Sequence, residues 1–309
     1  MAARRWKKLA ILLKPETVYG TDVAPAAADA LIGRNVTFTP IVGERVSRDL
    51  ILPYMGNQGV LLAGTYGRIE FDIEIAGSGA AGTKPKWGSA ARICGMSETV
   101  LAGVSVTYAI IEEALESGSL YFVMDKTRHV LLGARGNMTL QFNAKGIPYF
   151  RFTILGLLGT ITDIGAMPAV SQAGWTKPVV VSKANTVLTL HGWTAVAERV
   201  EMNLGNEVTP RFLIGNESMI VSDRSATGTA VVEARPIAEI DWFTIALTRA
   251  RGAMSLIHGT IAGNIVEVTN PAVEVGEPTL GQTNNIANYS LPLDLCPDAG
   301  RDEMQIIVR

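Results

Sequence analysis

The sequence contains few of the residues on which most metalloenzymes and redox proteins depend. Its 309 residues include only three histidines and two cysteines. His129, His191 and His258 lie far apart, without metal-ligand spacing or a nearby cysteine pair, so neither a metal site nor any other cofactor is expected. Each is more simply explained as a surface or turn histidine. Cys94 and Cys296 are interpreted as free, packed thiols, and a single long-range disulfide is the alternative.

Common catalytic and nucleotide-binding motifs are also missing. The glycine-rich stretches at 77–79 and 133–136 do not end in Gly-Lys-Ser/Thr, so no phosphate-binding loop is expected. There is no Gly-x-Ser-x-Gly nucleophile elbow. Two carboxylate pairs, Asp72 with Glu74 and Glu112 with Glu113, leave a glycoside hydrolase open as an alternative. A charged outer face on a half-solvated sheet is the simpler explanation of these carboxylates.

Charge is scarce, and no apolar run is long enough for a membrane span. Charged residues make up 18% of the chain and the net charge is −2, which argues against a nucleic-acid binder that relies on electrostatics. No apolar run approaches the roughly 18 residues of a transmembrane helix. Residues 1–14 mimic a signal peptide, but their apolar core at 9–13 is too short for one. Hydrophobic residues reach 48%, which is typical of a subunit that hides much of its surface in an assembly.

The most informative stretch is residues 50–79. Residues 50–64 form an apolar, glycine-rich run without helical spacing, and apolar loops of this kind usually bury themselves against another chain. From Ile69 to Ile75, apolar and acidic residues alternate strictly, as in a half-buried strand. The pattern predicts that one face enters a core and that the other, which carries the carboxylates, faces water.

The order of predicted elements in the first half of the chain occurs again in the second half. In each half an initial strand, an apolar loop and a second strand precede a short helix, with Trp87 and Trp242 in matching positions, and three strands close the copy. Thirty-one glycines and fourteen prolines fit a chain of strands and turns. We predict a mainly β protein with two tandem β-sandwich or partial-barrel domains, each flanked by one short α-helix. The predicted boundaries are an N-terminal arm at 1–34, a first domain at 35–160, a linker at 161–190 and a second domain at 191–309.

The predicted elements have the following bounds. The first half contains strands at 35–40, 69–75, 119–124, 137–142 and 149–155, and a helix at 85–94. The second half contains strands at 198–204, 228–234, 253–258, 265–275 and 288–295, a helix at 240–250, and a final strand near the end of the chain. The apolar loops are 50–64 and 212–221.

The opening of the chain resembles that of a known family. Residues 7–22, KKLAILLKPETVYGTD, followed by an Ala- and Pro-rich loop, are similar to the start of tail tube (major tail) proteins of long, flexible-tailed bacteriophages. The resemblance continues through Arg48-Asp49-Leu50, Ala63-Gly64-Thr65, the strand at 68–75 and Trp87-Gly88. It implies tail-tube-like β-sandwich domains whose sheets join into a continuous barrel, in rings that stack into a DNA-conducting tube. Most members have one domain and form hexamers, so a two-domain chain implies a trimer with pseudo-sixfold symmetry.

Several expectations about sites and partners follow from this resemblance. Partners are further copies, other tail proteins such as tape measure, tail tip and terminator, and DNA in transient, non-specific passage, with no membrane anchor. The expected location is the virion tail, after assembly in the host bacterial cytoplasm. Candidate lumen-facing residues are Glu70, Asp72, Glu74, Glu201 and Glu233, and an outer surface is the alternative for them. Candidate inter-ring contacts are Leu52, Tyr54, Met55, Val60, Leu61, Leu62, Phe212, Leu213 and Met219. A carbohydrate-binding or adhesin-type β-sandwich is the alternative function.

Overall fold

Antiparallel strands dominate the computed structural model, which describes residues 3–309. The strands of the first half are β1 (Leu9–Pro15), β2 (Ala30–Leu31), β3 (Arg34–Ser47), β4 (Val60–Glu74), β5 (Thr99–Leu101), β6 (Ser105–Ala109), β7 (Gly118–Met124), β8 (Thr127–Asn143) and β9 (Tyr149–Asp163). The second half contains β10 (Thr186–Leu190), β11 (Trp193–Thr194), β12 (Ala197–Asn203), β13 (Asn206–Leu213), β14 (Asn216–Arg224), β15 (Thr227–Glu233), β16 (Gly252–His258), β17 (Val266–Val275), β18 (Thr279–Thr283), β19 (Ile286–Cys296) and β20 (Gln305–Val308). The helices are α1 (Gly88–Ile93) and α2 (Trp242–Thr248), with a short 3-10 turn at Ala27–Asp29.

Eight strands from both halves pair into one antiparallel sheet, which we call the shared sheet. Its order is β3-β4-β9-β8-β12-β15-β19-β18. The halves meet where β8 pairs with β12, with Gln141 opposite Glu201. Because side chains alternate between the two faces of a strand, this register gives the whole sheet one apolar face and one polar face.

The apolar face of the shared sheet forms the floor of the core. Ile69, Phe71 and Ile73 of β4 are fully buried, and Phe152 of β9 packs against Phe71 with ring centroids 5.6 Å apart. Each side chain of this size contributes about 1.5–3 kcal/mol by burial. The alternation of residues 69–75 therefore produces the predicted half-buried strand.

A second layer of strands covers this apolar face and also crosses between the halves. In it β20, near the end of the chain, lies between β6 of the first half and β17 of the second, with Ile307 opposite both Thr107 and Glu267. Strands β5, β6, β20, β17, β16, β10 and β11 follow one another in this layer. The buried residues of both halves form one continuous hydrophobic cluster. Two separately packed domains are therefore not shown.

The order of strand pairing nevertheless repeats. The series β3-β4-β9-β8 in the first half has its counterpart in β12-β15-β19-β18. Likewise β1 pairs with β7, and β7 with β8, as β10 pairs with β16, and β16 with β17. Trp87 lies at the start of α1 and Trp242 at the start of α2, and both are buried.

Most predicted strands and both helices are present, and the differences lie in the loops. The apolar run at 50–64 is not all loop, because residues 60–64 begin β4, and residues 60–63 pair with residues 44–47 of β3. The run at 212–221 belongs to the β13–β14 hairpin. Residues 9–15, inside the predicted arm, form β1, whose Ile11 and Leu13 enter the core.

Gly205 directs the chain out of the shared sheet between β12 and β13. Its φ is +73°, and a Cβ at this position would lie 1.8 Å from the carbonyl oxygen of Ser225. Only glycine fits this left-handed, close-packed turn. The turn starts the β13–β14 hairpin, which lies over the first half of the chain.

Candidate functional site

The five predicted lumen-facing carboxylates lie on the polar face of the shared sheet or at its edge. Glu74 on β4 and Glu201 on β12 occupy one cross-strand row, linked through Tyr149 and Gln141 on the intervening strands. Glu70 and Asp72 belong to neighbouring rows of β4, and Glu233 lies at the end of β15. The sequence thus predicted a set of side chains that the sheet brings to one face.

Asp72 does not face water, contrary to the prediction from alternation. Its side chain is only 1% exposed. Arg151 donates from Nε and Nη2 to its two oxygens at 2.8 and 3.2 Å, and Asn35 donates from Nδ2 at 2.8 Å. Because a buried carboxylate needs such partners, the neighbouring side chains close over it. The hydrogen bond to Asp72 raises the pKa of Arg151.

Arginines offset much of the negative charge on this face. Arg68 forms an ion pair with Glu70, and Arg235 lies 3.2 Å from Glu233. Within residues 3–309, Glu74 and Glu201 have no basic group within ion-pair distance, and both are half-buried. The polar face is therefore a mixed surface of carboxylates, arginines, amides and hydroxyls rather than an acidic one.

Two hairpin tips carry most of the predicted inter-ring residues. In the loop and strands around the β3–β4 tip, six candidates are exposed by between 38% and 100%: Leu52, Tyr54, Met55, Val60, Leu61 and Leu62. At the β13–β14 tip, Leu213 is 50% exposed. The prediction omitted Ile51 and Ile214, which are fully exposed at the two tips although they lie inside the same apolar runs.

Two of the predicted contact residues, Met219 and Phe212, make contacts within the chain. Met219 is fully buried; its backbone N–H donates to the Tyr19 hydroxyl at 2.6 Å, and its carbonyl accepts from Arg135 Nη1 at 2.9 Å. Phe212 is half-buried, and its ring packs closely against Gly64, where it would lie 3.0 Å from an added Cβ. These hydrogen bonds hold the hairpin against the first half. Because the Met219 side chain is buried there, it cannot contact another copy.

The three histidines are half-buried or buried in the fold. Burial lowers the pKa of His129, His191 and His258. His258, predicted as a surface or turn residue, is 1% exposed and contacts Thr186 and the carbonyl of Val179. Among residues 3–309, no group of three or more His, Cys, Asp or Glu side chains is arranged to hold a metal ion.

A groove lies where the halves meet, and three of the charged side chains that line it bind one another. Arg224 of β14 donates from Nη2 to Glu112 at 3.1 Å and to Glu303 at 3.0 Å.

Cys94 and Cys296 are both free, as predicted. In the described part of the chain, the helices are too short to cross a bilayer.

A comparison with protein-family models gives a match over nearly the whole length of the chain. Residues 6–294 match the model of the phage tail tube protein family. The chain belongs to this family. A tail tube protein is a structural, non-enzymatic component of the virion tail. Membership also implies assembly with further copies and with other tail proteins. A search of curated proteins finds no match to the chain.

Proposed function

We propose that three copies of this tail tube protein form a ring with pseudo-sixfold symmetry, and that the rings stack around a lumen that conducts DNA during ejection. The repeated pairing order supports the stoichiometry, because each chain supplies two four-stranded units and three chains supply six. The observation that carries the proposal is the β8–β12 joint, which already merges two such units into one sheet.

Open edges favour closure into a ring. A sheet edge with free backbone groups is prone to pair with other chains, and a closed barrel removes that edge. Rings that meet head to tail use two different surfaces, so their stacking continues into a filament. The tips of the β3–β4 and β13–β14 hairpins, with their exposed apolar residues, are the surfaces that contact the next ring.

The polar face of the shared sheet lines the lumen. A basic wall would hold the duplex by releasing its counterions, whereas a mixed polar wall with a few free carboxylates does not. Glu74 and Glu201 are the free carboxylates of this wall, Glu70 and Glu233 are neutralised at its surface, and Asp72 supports it from below. Tape measure, tail tip and terminator proteins are the other partners of the tube.

Imaging of the purified chain tests the assembly. Negative-stain micrographs at rising protein concentration are expected to reveal rings and tubes, and native mass spectrometry is expected to give trimers as the ring mass. A chain that stays monomeric throughout contradicts the assembly, whereas hexameric rings contradict only the trimer.

Charge reversal tests the lumen. The Glu74→Lys/Glu201→Lys variant is expected to form normal tubes but to deliver DNA poorly when it replaces the parent chain in phage particles, because lysines retain the duplex. Glu113→Lys, at an exposed position outside the shared sheet, is the control. Normal DNA delivery by the double variant places these carboxylates on the outer surface instead.

A further inference from the structure

Each of the two end strands of the shared sheet has a partner strand on one side only in the described chain. Within residues 3–309, β3 pairs only with β4, and β18 pairs only with β19. All five residues of β18, Thr279–Thr283, are exposed, none is charged or proline, and Leu280 is 74% exposed. Natural proteins usually protect an edge by charge, proline or a covering segment. The β18 edge has none of these devices.

The β8–β12 joint inside the chain shows how one strand can pair with such an edge. There, Leu140 of β8 lies opposite Met202 of β12, and Phe142 lies opposite Val200. These four side chains are buried. The joint therefore closes both the backbone ladder and the apolar face of the sheet.

β18 occupies the position in the second half that the end of β8 occupies in the first. Leu280 lies opposite Tyr289 of β19, as Leu140 lies opposite Phe150 of β9. In both pairs the strand that precedes the hairpin turn presents its leucine to the core side. Leu140 is fully buried, whereas its counterpart Leu280 has no cover in residues 3–309.

β3 corresponds in the same way to β12. Phe38 of β3 lies opposite Ile69 of β4, and Met202 of β12 lies opposite Gly228 of β15. Ile69 and Gly228 are equivalent, since the residue four positions later in each strand lies opposite Phe150 or Tyr289. Phe38 is therefore the counterpart of Met202.

We propose that β18 of one copy pairs antiparallel with β3 of the next copy, in the register of the β8–β12 joint. Leu280 then lies opposite Phe38, Gly281 opposite Thr37, and Gln282 opposite Val36. This inference rests on the proposed assembly, and it identifies the surface and the register through which a second copy of this chain is bound.

The chemistry of the two edges suits this pairing. Phe38 is half-buried, its ring packs 4.4 Å from that of Phe122, and its free side accepts the apolar side chain of Leu280. Thr37 and Gly281 meet on the polar face, which continues unbroken from one copy to the next. Residues 35–39 and 279–283 contain no charge, so no like charges oppose each other.

The hairpins support the same geometry. The β13–β14 hairpin, which continues from β12, lies on β4, β8 and β9 of the other half. The β3–β4 hairpin, which continues from β3, leaves Leu61 and Leu62 exposed in the described chain. In the proposed joint this hairpin points toward the second half of the neighbouring copy.

Cysteine cross-linking tests the register. In a Cys296→Ser background, Thr37→Cys with Gly281→Cys places two thiols opposite each other, within the Cα separation that a disulfide tolerates. Oxidised rings or tubes are expected to give covalent dimers and trimers on non-reducing gels, and the ladder is expected to end at the trimer. Gln141→Cys with Glu201→Cys, at the matching internal positions, is expected to form an intrachain bond only. Asn35→Cys with Thr279→Cys, about 13 Å out of register, is expected to stay uncrosslinked.

A charge at the edge tests the surface independently. Leu280→Lys is expected to fold as the parent chain does, because the side chain is exposed, but to form at least tenfold fewer rings. Ile261→Lys, at a position 70% exposed in a loop, is the control and is expected to assemble normally. If Leu280→Lys forms tubes normally and the Thr37→Cys/Gly281→Cys chain forms tubes without a cross-link, the joint is overturned while the proposed function stands. A parent chain that never forms rings or tubes overturns both.

Discussion

The Nε atom of Arg151 on β9 lies 2.8 Å from Oδ1 of Asp72 on β4, and this ion pair has one buried and one exposed end. The Asp72 side chain is 1% exposed, and that of Arg151 is 45% exposed. The carboxylate accepts two further hydrogen bonds, from Nη2 of Arg151 and Nδ2 of Asn35. Loss of the carboxylate therefore leaves few polar groups without a hydrogen-bond partner, because the exposed guanidinium of Arg151 can bind water instead.

We expect Asp72→Ala to lower the free energy of unfolding by about 1–3 kcal/mol, through lost charge-assisted hydrogen bonds and a small cavity. Glu74→Ala, two residues along the same strand and without an ion-pair partner in the described chain, is expected to cost less than about 0.5 kcal/mol. Urea denaturation of the isolated chain measures both. Equal losses for the two variants contradict the buried role of Asp72.

The two matched tryptophans offer a comparison within one chain. Both indoles are buried, but Nε1 of Trp87 donates to the carbonyl of Ala76 at 2.8 Å, whereas Nε1 of Trp242 has no partner among residues 3–309. Trp87→Phe and Trp242→Phe remove the same volume. We expect Trp87→Phe to be the more destabilising by about 1–3 kcal/mol, because it also deprives the buried carbonyl of its donor. A greater loss for Trp242→Phe in thermal or urea unfolding contradicts this difference.

The sequence predicted the local elements better than their partners. The alternation in residues 69–75 and the two matching short helices at Trp87 and Trp242 depend on neighbours in sequence, so the strand and both helices were predictable. The burial of Asp72 depends on Arg151, 79 residues away, and alternation alone placed it in water. The hydrogen bond that the Met219 backbone N–H donates depends on Tyr19, 200 residues away.

Long-range strand pairing explains the other differences. The apolar run 50–64 was interpreted as a loop because it is glycine-rich and lacks helical spacing, yet residues 60–63 pair with 44–47. Similarly, β20 joins two halves that the order of elements suggested were separate. A repeated order of elements does not specify whether two copies keep separate cores, since that depends on which edges meet.

Arg224 and Glu303 form a largely buried pair where the halves meet, and Glu112 adds an exposed partner. The side chains of Arg224 and Glu303 are each 12% exposed, and that of Glu112 is 57% exposed. We expect Glu303→Ala to cost about 2–4 kcal/mol, because it leaves a largely buried guanidinium without its buried partner. Glu112→Ala is expected to cost less than about 1 kcal/mol, as exposed pairs do.

A double-mutant cycle between Arg224 and Glu303, measured by urea unfolding, checks this assignment. Coupling is expected between these two residues and should be several times weaker between Arg224 and Glu112. Comparable coupling energies for both pairs contradict the buried role of Glu303.

His258 should make the stability of the fold depend on pH near neutrality. Its Nε2 lies 3.2 Å from the carbonyl of Val179 and therefore donates, so Nδ1 of the neutral ring accepts from the Thr186 hydroxyl at 2.8 Å. On a third side, Phe142 packs edge-on against the ring. Burial lowers the pKa of His258 below its ordinary value of 6.5.

The sign of the effect follows from that direction. The unfolded chain binds a proton at His258 more readily than the folded chain does, so the stabilisation is fully present above pH 6.5. It is lost as the pH falls through the lower folded pKa. His258→Gln, which keeps a donor and an acceptor but cannot titrate, is expected to reduce the slope of unfolding free energy against pH between about pH 5 and 8. Urea midpoints across this range measure the slope. Identical slopes for the parent chain and His258→Gln would mean that protonation of this histidine is not coupled to folding.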